Sequence, residues 1–512
     1  MSTLACRSGL AFTIALVCFA SQTAAAQDGA AAKCPALASL ELPDVKVATA
    51  VPVAAPTVGP IKVAHCRVDG SVGKDIRFSL LLPDQWNGKF FMGGGGGFVG
   101  SVQNQSVGVL NSGYATVGTD TGHQASGTQA NWAMNEMERQ LNYGHVGVHR
   151  VAEVSKAIIR EYYGSKPTRS YFGGCSNGGR QAMMSAQRYP NDFDGIVAGA
   201  PAMDFMGIGA QFIKDSQAQY PDPKNLEQPL LPPATLKLVG AKVLEACDRI
   251  DGVKDDVMED PRACKFDVGS LPACPGDQAG EQCVTKAQVA ALRKIYAPTD
   301  ANGETIFSGQ PFGGETDAAG WQAWIAGVNP QLIASQRAPS LRYAFGTEMF
   351  KYFIYGDPQW DYSQYDLARW KKDSARPGSY LNATDPNLDA FKSRGGKLII
   401  WHGWADAGLS ALATVKYYEQ VQARDPAAKD YARLFLLPGV LHCAGGAGPD
   451  TVDWPAAITE WVENGKAPDR VIASKLAAGK ATRTRPLCPY PQRAVYSGKG
   501  STDDAAQFAC KS

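Results

Sequence analysis

Residues 170–190, SYFGGCSNGGRQAMMSAQRYP, run from an apolar segment typical of a buried strand, through a glycine-rich turn, into a segment typical of a helix. The turn contains GCSNG, residues 174–178, which matches the motif G-x-S-x-G. Between a strand and a helix, the glycines of this motif permit a sharp turn that leaves the serine hydroxyl exposed. A tight turn with an idle serine explains the bare motif equally well, so the choice depends on residues elsewhere in the chain.

Short apolar runs on both sides of this turn have the length and composition of buried strands. Between two of them, residues 146–164 carry apolar side chains at helical spacing and end at Gly164, a favourable residue for a helix C-terminus. The alternation of strands and helices predicts an α/β fold with a parallel sheet covered by helices. The predicted strands are residues 78–83, 89–93, 114–120, 170–174, 195–201, 397–403 and 433–439.

One long segment lacks this alternation. Residues from about 205 to 390 are rich in proline, glycine and aromatic residues and interrupt the predicted sheet. A chain of 512 residues is also too long for one ordinary hydrophobic core. We therefore expect a second domain inserted into the first. The only low-complexity stretch is rich in alanine, proline and valine and lies near residues 47–60.

The partners that a serine nucleophile needs appear in the expected order. An acid and then a histidine should follow the serine, each directly after a strand. Asp406 follows the predicted strand 397–403, and His442 follows the predicted strand 433–439. These three placements agree and predict a catalytic triad of Ser176, Asp406 and His442. We expect other roles for the remaining histidines. His149 lies in a predicted helix, His65 is adjacent to a cysteine expected to form a disulfide, and His402 ends a predicted strand, where a structural role is expected. His123 and His145 are expected to pack in the interior or line the pocket.

Acyl transfer also requires two backbone N–H donors for the oxyanion. One predicted donor is the amide of Asn177, directly after the nucleophile. The second is expected from the five consecutive glycines at 93–97, where Gly95 and Gly96 are the predicted donors, because glycine lets the backbone approach a substrate closely. A phosphate-binding role for these glycines is discounted, since neither phosphate-loop motif occurs in a suitable context.

The N-terminus has the features of a signal peptide. Arg7 precedes an apolar run from Leu10 to Ala20, and small residues follow, which predicts cleavage after about residue 26. No later stretch offers the roughly 20 apolar residues of a membrane helix. We therefore expect a soluble protein that is secreted or periplasmic. The formal net charge of +1 argues against nucleic acid or an anionic membrane as a partner.

Ten cysteines remain after removal of residues 1–26, and an even number in an exported protein predicts five disulfides. The sequence does not predict a zinc site, because no C-x-x-C pair occurs. Four pairs close local loops and leave Cys175 to pair with Cys443. That last bond would bring Ser176 and His442, each adjacent to one of its cysteines, within reach of each other. The four local pairs are Cys34 with Cys66, Cys247 with Cys264, Cys274 with Cys283, and Cys488 with Cys510.

At these residues the chain resembles the tannase and feruloyl esterase family. The resemblance rests on Cys175-Ser176, His442-Cys443 and the G-x-x-D segment from Gly403 to Asp406, and it extends from about residue 34 to 510. It implies an α/β-hydrolase core formed by residues 27–204 and 391–512, with a large inserted lid domain at 205–390.

The resemblance also implies a secreted serine carboxylesterase that hydrolyses esters of aromatic acids of the hydroxycinnamic type. Galloyl esters and terephthalate monoesters remain alternative substrates. Two alternatives to an esterase are a peptidase and a hydrolase-fold protein that binds a ligand without catalysis. Aromatic residues of the lid that could face an aromatic acyl group, or equally form lid core, are Trp321, Trp324, Tyr343, Phe345, Phe350, Tyr352, Phe353, Tyr355 and Trp360.

One acidic loop lies between Cys247 and Cys264 and contains Asp248, Asp251 and Asp255. Carboxylates and backbone carbonyls are the ligands that Ca²⁺ prefers, but the spacing is not that of an EF-hand, and by itself the loop is explained as solvated surface. The family resemblance implies instead a structural calcium ion. The implied ligands are the side chains of Asp248, Asp251 and Asp255 and the carbonyls of Val253 and Val257.

Overall fold

The computed structural model describes residues 33–327 and 338–512. The predicted signal peptide, residues 1–26, lies outside these ranges. Within them, no helix is both long and apolar enough to cross a bilayer.

A nine-stranded sheet forms the centre of the molecule, in the order β1-β2-β3-β5-β4-β6-β7-β10-β11. The strands from β5 to β11 in this order are parallel to their neighbours, whereas β1, β2 and β3 are joined by antiparallel pairings, as are β3 and β5. The predicted α/β fold is therefore confirmed. In chain order the described strands are β1 Val45–Val53, β2 His65–Val72, β3 Ile76–Pro83, β4 Lys89–Gly93, β5 Ala115–Thr119, β6 Arg169–Cys175, β7 Gly195–Gly199, β8 Thr299–Ala301, β9 Glu304–Phe307, β10 Lys397–Gly403, β11 Ala432–Leu437, β12 Val471–Ala477, β13 Lys480–Leu487, β14 Arg493–Tyr496 and β15 Phe508–Lys511.

Helices accompany the parallel strands, and the predicted helix ends where expected, with Gly164 in the left-handed conformation at φ 75°. Its apolar face, which includes Val151 and Ile158, is buried in the central core. The described α-helices are α1 Met137–Leu141, α2 Gly147–Tyr163, α3 Asn177–Arg188, α4 Phe205–Gln219, α5 Pro233–Cys247, α6 Lys286–Tyr296, α7 Leu341–Met349, α8 Trp370–Leu381, α9 Asp389–Ser393, α10 Ala411–Arg424 and α11 Trp454–Asn464.

The N-terminal edge of the sheet was not predicted. The compositionally simple stretch near 47–60 begins within β1, which pairs antiparallel with β2 over Val45–Val53. Its side chains are mostly exposed, so the alternation that marks a half-buried strand is weak here. Strand β2 was missed as well, because its polar residues interrupt the apolar run.

The chain leaves the sheet after β7 and returns at β10, which lies directly beside β7 in parallel register. The nearly 200 residues between these adjacent strands carry their own hydrophobic clusters, one of them built around Val239, Leu292 and Trp321. Another cluster joins Phe350 and Phe353 of this inserted segment to Phe98 and Tyr143 from the sheet side. The inserted segment thus packs on the end of the sheet that carries the G-x-S-x-G turn.

Five disulfides link the described chain in the pairs expected from the sequence. The four local bonds join Cys34 to Cys66, Cys247 to Cys264, Cys274 to Cys283, and Cys488 to Cys510, and the long-range bond joins Cys175 to Cys443. Such a number is typical of proteins from an oxidising, extracytoplasmic compartment.

Candidate active site

Ser176 lies at the turn between β6 and α3, with φ 65° and ψ −124°. This conformation is strained for a residue with a side chain, and it persists because the surrounding backbone is held on both sides. The amide of Ser176 donates to the carbonyl of Gly199, 3.0 Å away. A Cβ on Gly174 would lie 2.8–2.9 Å from backbone atoms of Gly178, so only glycine lets the strand approach the helix this closely.

His442 connects Ser176 to Asp406. Its Nε2 lies 2.8 Å from Oγ of Ser176, and its Nδ1 lies 2.7 Å from Oδ2 of Asp406. The carboxylate is fully buried, whereas the imidazole is about one tenth exposed. The three side chains come from loops after β6, β10 and β11, and together they form one continuous hydrogen-bonded chain ending at a serine hydroxyl.

Four hydrogen bonds hold the buried carboxylate of Asp406. Its Oδ1 accepts from the amides of Gly408 and Leu409 at 2.7 and 2.8 Å. Its Oδ2 accepts from both His442 and His402. Burial alone would raise the pKa of Asp406, but the two histidines and their hydrogen bonds hold this pKa well below its ordinary value. Asp406 is therefore an anion throughout the neutral range.

The part played by His402 was not foreseen. Its imidazole is fully buried, with Nε2 3.1 Å from both Oδ2 of Asp406 and the carbonyl of Leu409. Because both neighbours of Nε2 are acceptors, we assign the proton to Nε2, which leaves Nδ1 to accept from the hydroxyl of Thr414, 2.8 Å away. The sequence signal was its place near the end of β10, four residues before Asp406 in the loop that follows this strand.

A disulfide lies directly beside these side chains. Cys175 precedes Ser176 and Cys443 follows His442, and their Cα atoms are 5.9 Å apart. Cys443 has φ 66°, so the chain turns sharply just after the histidine. The bond ties the serine turn to the histidine loop, which are separated by 268 residues in sequence.

The glycine-rich loop lies beside Ser176, but the amides of Gly95 and Gly96 are not directed at it. Gly95 N–H donates to Oε1 of Gln181 at 3.1 Å, and Gly96 N–H donates to Oε1 of Gln103 at 2.9 Å. Gly97 is the glycine of this run that lines the pocket with Ser176. Gln181 lies 86 residues from Gly95 in sequence, and Gln103 lies 7 residues from Gly96. The spacing of the glycines alone did not reveal either acceptor.

Asn177 is the first residue of α3 and lines the same pocket. The first N–H groups of a helix lack intrahelical acceptors, which leaves the amide of Asn177 suited to an oxyanion. The side chain of Asn177 donates to the carbonyl of Gly95 at 3.0 Å and accepts from the buried Arg180 at 2.8 Å. The serine turn and the glycine loop are thereby fastened to each other.

The pocket at Ser176 is apolar and largely aromatic. Trp324 and Phe345 are stacked in it, with ring centroids 6.0 Å apart and an interplanar angle of 19°, and Trp324 also meets the His442 ring edge-to-face at 4.8 Å. Of the lid aromatics considered from the sequence, these two line the pocket, whereas Trp321, Phe350 and Phe353 are buried in hydrophobic clusters. The lining residues are Gly97, Phe98, Ser176, Asn177, Ala202, Phe205, Ile208, Phe212, Trp324, Phe345, Met349 and Leu409.

The remaining histidines lie outside this pocket. His123 is buried against Trp132, with ring centroids 3.5 Å apart, and its Nε2 lies 2.8 Å from the carbonyl of Phe98. His123 therefore contacts the backbone of the residue that directly follows the glycine-rich loop. His149 pairs with Asp192, His145 lies 2.7 Å from the hydroxyl of Tyr189, and His65 contacts the carbonyl of Val63.

The carboxylates of the acidic loop already accept hydrogen bonds from protein groups. Oδ1 of Asp248 accepts from the amide of Asp255, and both oxygens of Asp251 accept from backbone amides. Asp255 forms an ion pair with Arg485. Burial, and to a lesser extent the charges of neighbouring aspartates, raise the pKa values of Asp251 and Asp255. Within the described ranges, no three acidic, histidine or cysteine side chains are arranged as a metal cluster.

Comparison with known proteins identifies the family to which the chain belongs. The family model described as tannase and feruloyl esterase matches residues 61–511. The chain is 34% identical over 520 residues to a mono(2-hydroxyethyl) terephthalate hydrolase from Piscinibacter sakaiensis, covering 87% of this chain and 84% of that protein. It is 31% identical over 476 residues to feruloyl esterase B from Aspergillus niger, covering 87% and 86%.

A solved structure agrees with these sequence matches. The crystal structure of feruloyl esterase B from Aspergillus oryzae superimposes with a TM-score of 0.84 at 26% identity, covering 94% of this chain and 100% of that one. The chain therefore belongs to the tannase and feruloyl esterase family of carboxylic ester hydrolases.

Proposed function

We propose that this esterase hydrolyses esters whose acyl group is aromatic, uncharged and of the hydroxycinnamic type, through an acyl-enzyme on Ser176. The observation that carries the proposal is the apolar aromatic pocket that opens directly at the Ser176 hydroxyl. A flat aromatic acyl group gains from burial between aromatic walls, and it needs few polar partners there.

The reaction begins with the chain of hydrogen bonds from Ser176 to Asp406. His442 Nε2 takes the proton of the Ser176 hydroxyl as Oγ attacks the ester carbonyl, and it later gives that proton to the departing alcohol. Asp406 holds the imidazole by Nδ1 and stabilises the positive charge that forms on it. Water then attacks the acyl-enzyme by the same sequence of proton transfers and releases the aromatic acid.

The negative oxygen of each tetrahedral intermediate requires donors beside Ser176. We assign this role to the amides of Asn177 and Gly97, which both lie at the pocket, in place of Gly95 and Gly96, whose amides already donate to glutamines. Donors fixed before the reaction cost no reorganisation as the charge develops.

The acyl group is proposed to be uncharged because of what lines the pocket. Among its described lining residues there is no lysine, arginine or acidic side chain, and Phe205, Phe212 and Phe345 form much of its wall. The free carboxylate of a terephthalate monoester would lose its hydration there without gaining a cationic partner among the described lining residues. A ferulate or other cinnamate ester buries no such charge.

A panel of four esters tests this function. We expect kcat/KM to be highest for methyl ferulate, lower for methyl gallate and for mono(2-hydroxyethyl) terephthalate, and lower again for a 4-nitrophenyl alkyl ester. Ser176→Ala serves as the control, and its kcat should fall by about 10⁴-fold or more with the fold intact. A preference for the terephthalate monoester would contradict the uncharged acyl group, and retained activity in Ser176→Ala would contradict the nucleophile.

The acidic loop is proposed to hold a structural calcium ion. Asp248, Asp251 and Asp255, with the carbonyls of Val253 and Val257, supply the hard oxygen donors that calcium takes. Support comes from the placement of three aspartates in a short loop that is closed by the disulfide between Cys247 and Cys264. Asp255 would then exchange part of its pairing with Arg485 for the ion. The bound ion would stabilise the loop and take no part in ester hydrolysis.

A further inference from the structure

The loop that carries Asp406 is held from the inserted segment at three points. Gln310 Nε2 donates to the backbone carbonyl of Asp406 at 2.8 Å. Arg342 Nε donates to the carbonyl of Ala407 at 2.9 Å. In the opposite direction, the hydroxyl of Ser410 donates to the carbonyl of Gly309 at 2.6 Å. The loop that carries Asp406 is therefore anchored by β10 at its start and by hydrogen bonds to the inserted segment along residues 406–410.

Two of these contacts belong to one buried network. Arg342 Nη2 donates to Oε1 of Gln310 at 2.7 Å, and Arg342 Nη1 forms an ion pair with Asp215. The side chains of Arg342 and Asp215 are 1% exposed, and Gln310 is 4% exposed. A buried charged network has few alternative arrangements, because any broken bond leaves a polar group without a partner in a low-dielectric interior.

The same network joins two helices that supply side chains to the pocket wall. Asp215 lies on α4, which also supplies Ile208 and Phe212 to the pocket, and Arg342 lies on α7, which supplies Phe345 and Met349. The guanidinium of Arg342 lies 5.6 Å from the ring centroid of Phe212. Because the two side chains are neighbours, a displacement of Phe212 by an acyl group would also disturb Arg342, which donates to the carbonyl of Ala407.

We propose that Arg342 and Gln310 are positioning residues that tie the acyl pocket to Asp406. An acyl group that fills the pocket packs α4 against α7, and this packing holds Arg342 and Gln310 on the carbonyls of Ala407 and Asp406. The Asp406 carboxylate then stays aligned with His442. An acyl group too small to fill the pocket leaves α4 and α7 less constrained, and the acid is held less well.

This inference rests on the proposed function, since it needs Asp406 to orient His442 in catalysis. Its effect should appear in kcat more than in KM, because the network contacts the acid loop and not the substrate. A displacement of about 1 Å in a catalytic group lowers a rate by about 10²-fold, so loss of one contact has a measurable effect. A purely structural network would lower stability alone.

The test compares methyl cinnamate with methyl acetate, which share an alcohol and differ in how far they fill the pocket. In Gln310→Met, which lacks both polar atoms, we expect kcat for methyl cinnamate to fall by about tenfold or more with little change in KM. The fall for methyl acetate should be smaller, so the ratio of the two kcat values should drop. Gln310→Glu is the second variant, because it keeps an acceptor for Arg342 but has no N–H for Asp406.

Gln288→Met is the matched control. Gln288 is also 4% exposed, lies in the same inserted segment, and donates to Leu230 and Thr235 at 3.1 and 3.2 Å. Its loss should lower the thermal midpoint to a similar degree and leave the kcat ratio unchanged. An unchanged ratio in both Gln310 variants, or an equal fall for both esters, would overturn the inference.

A double variant examines the coupling itself. Phe212→Ala should lower the kcat ratio, and adding Gln310→Met should lower it little further, because both changes break the same connection. Losses that multiply would show two independent effects and would also overturn the inference. If the unaltered protein hydrolyses methyl cinnamate and Ser176→Ala does not, such a failure concerns the network alone; if the unaltered protein does not hydrolyse it, the proposed function fails and the inference fails with it.

Discussion

His402 Nε2 lies 3.1 Å from Oδ2 of Asp406, the same oxygen that His442 contacts at 2.7 Å. A fully buried imidazole thus shares the carboxylate with the imidazole that faces Ser176. The donor from His402 stabilises the negative charge of Asp406 and helps to keep the pKa of Asp406 low.

We predict that His402→Leu lowers kcat by about tenfold or more, because Oδ2 of Asp406 loses one of its two donors and the carboxylate is held less firmly against His442. His402→Gln, which retains an N–H donor, should recover part of this loss. Equal kcat values for all three proteins at pH 7 would contradict this role.

The disulfide between Cys175 and Cys443 is predicted to support both folding and catalysis. Replacing both residues with alanine removes a cross-link across 268 residues, for which chain entropy alone suggests about 5 to 6 kcal/mol. We also expect kcat to fall further than the loss of folded protein explains, since the histidine loop is no longer tied to the serine turn.

The control for this experiment is the double alanine variant of Cys488 and Cys510, a pair that closes a loop of 22 residues away from Ser176. It should lose stability without a specific loss of kcat per folded molecule. Active-site titration and urea unfolding measure the two quantities separately. Equal kcat per active site in both double variants would argue against a catalytic contribution from the Cys175–Cys443 bond.

Removal of the proposed calcium ion should lower the thermal midpoint without altering the chemistry at Ser176. A ligand bound only by the native state stabilises it by mass action, so chelation should lower the midpoint and added Ca²⁺ should restore it. Asp251→Asn should abolish this response. Metal analysis of the undialysed protein gives the direct check, and a preparation without calcium whose midpoint ignores both chelator and Ca²⁺ would contradict the proposed site.

His123 should make stability depend on pH in the weakly acidic range. Burial, more than the nearby charge of Arg139, lowers the pKa of His123 from its ordinary value to about 4, while its contact with the Phe98 carbonyl and the charge of Asp75 oppose this shift. The unfolded chain takes up a proton there below about pH 6.5, and the folded chain does so only near pH 4. The free energy of unfolding should therefore fall as the pH drops from 6.5 to 4.

His123→Gln keeps a donor for the Phe98 carbonyl but does not titrate. Urea unfolding at several pH values should give a flatter pH dependence for this variant, with a difference on the order of 2 to 3 kcal/mol accumulated across the interval. Identical slopes for the variant and the unaltered protein would show that folding does not lower the pKa of His123, and would contradict the prediction.

Much of the fold and the site was predictable from local sequence. The strand, turn and helix around Ser176 leave a local record, because side-chain periodicity and glycine positions follow from backbone geometry within a few residues. The order of Ser176, Asp406 and His442, each directly after a strand, and the pairing of Cys175 with Cys443 once local pairs were made, needed no tertiary information. The edge strand β1 escaped prediction because most of its side chains are exposed and carry little periodic signal.

Other features depended on which groups meet across long stretches of chain. The amide of Gly95 donates to Gln181, and Gln310 donates to Asp406, over separations of 86 and 96 residues. Spacing contains no information about such partners, since a hydrogen bond requires an approach of about 3 Å that only the packed molecule decides. Local sequence therefore predicts the fold class and the residues proposed to react. Tertiary packing is what places Gly97 rather than Gly95 or Gly96 at the pocket, makes Trp324 and Phe345 face it, and brings His402 into contact with Asp406.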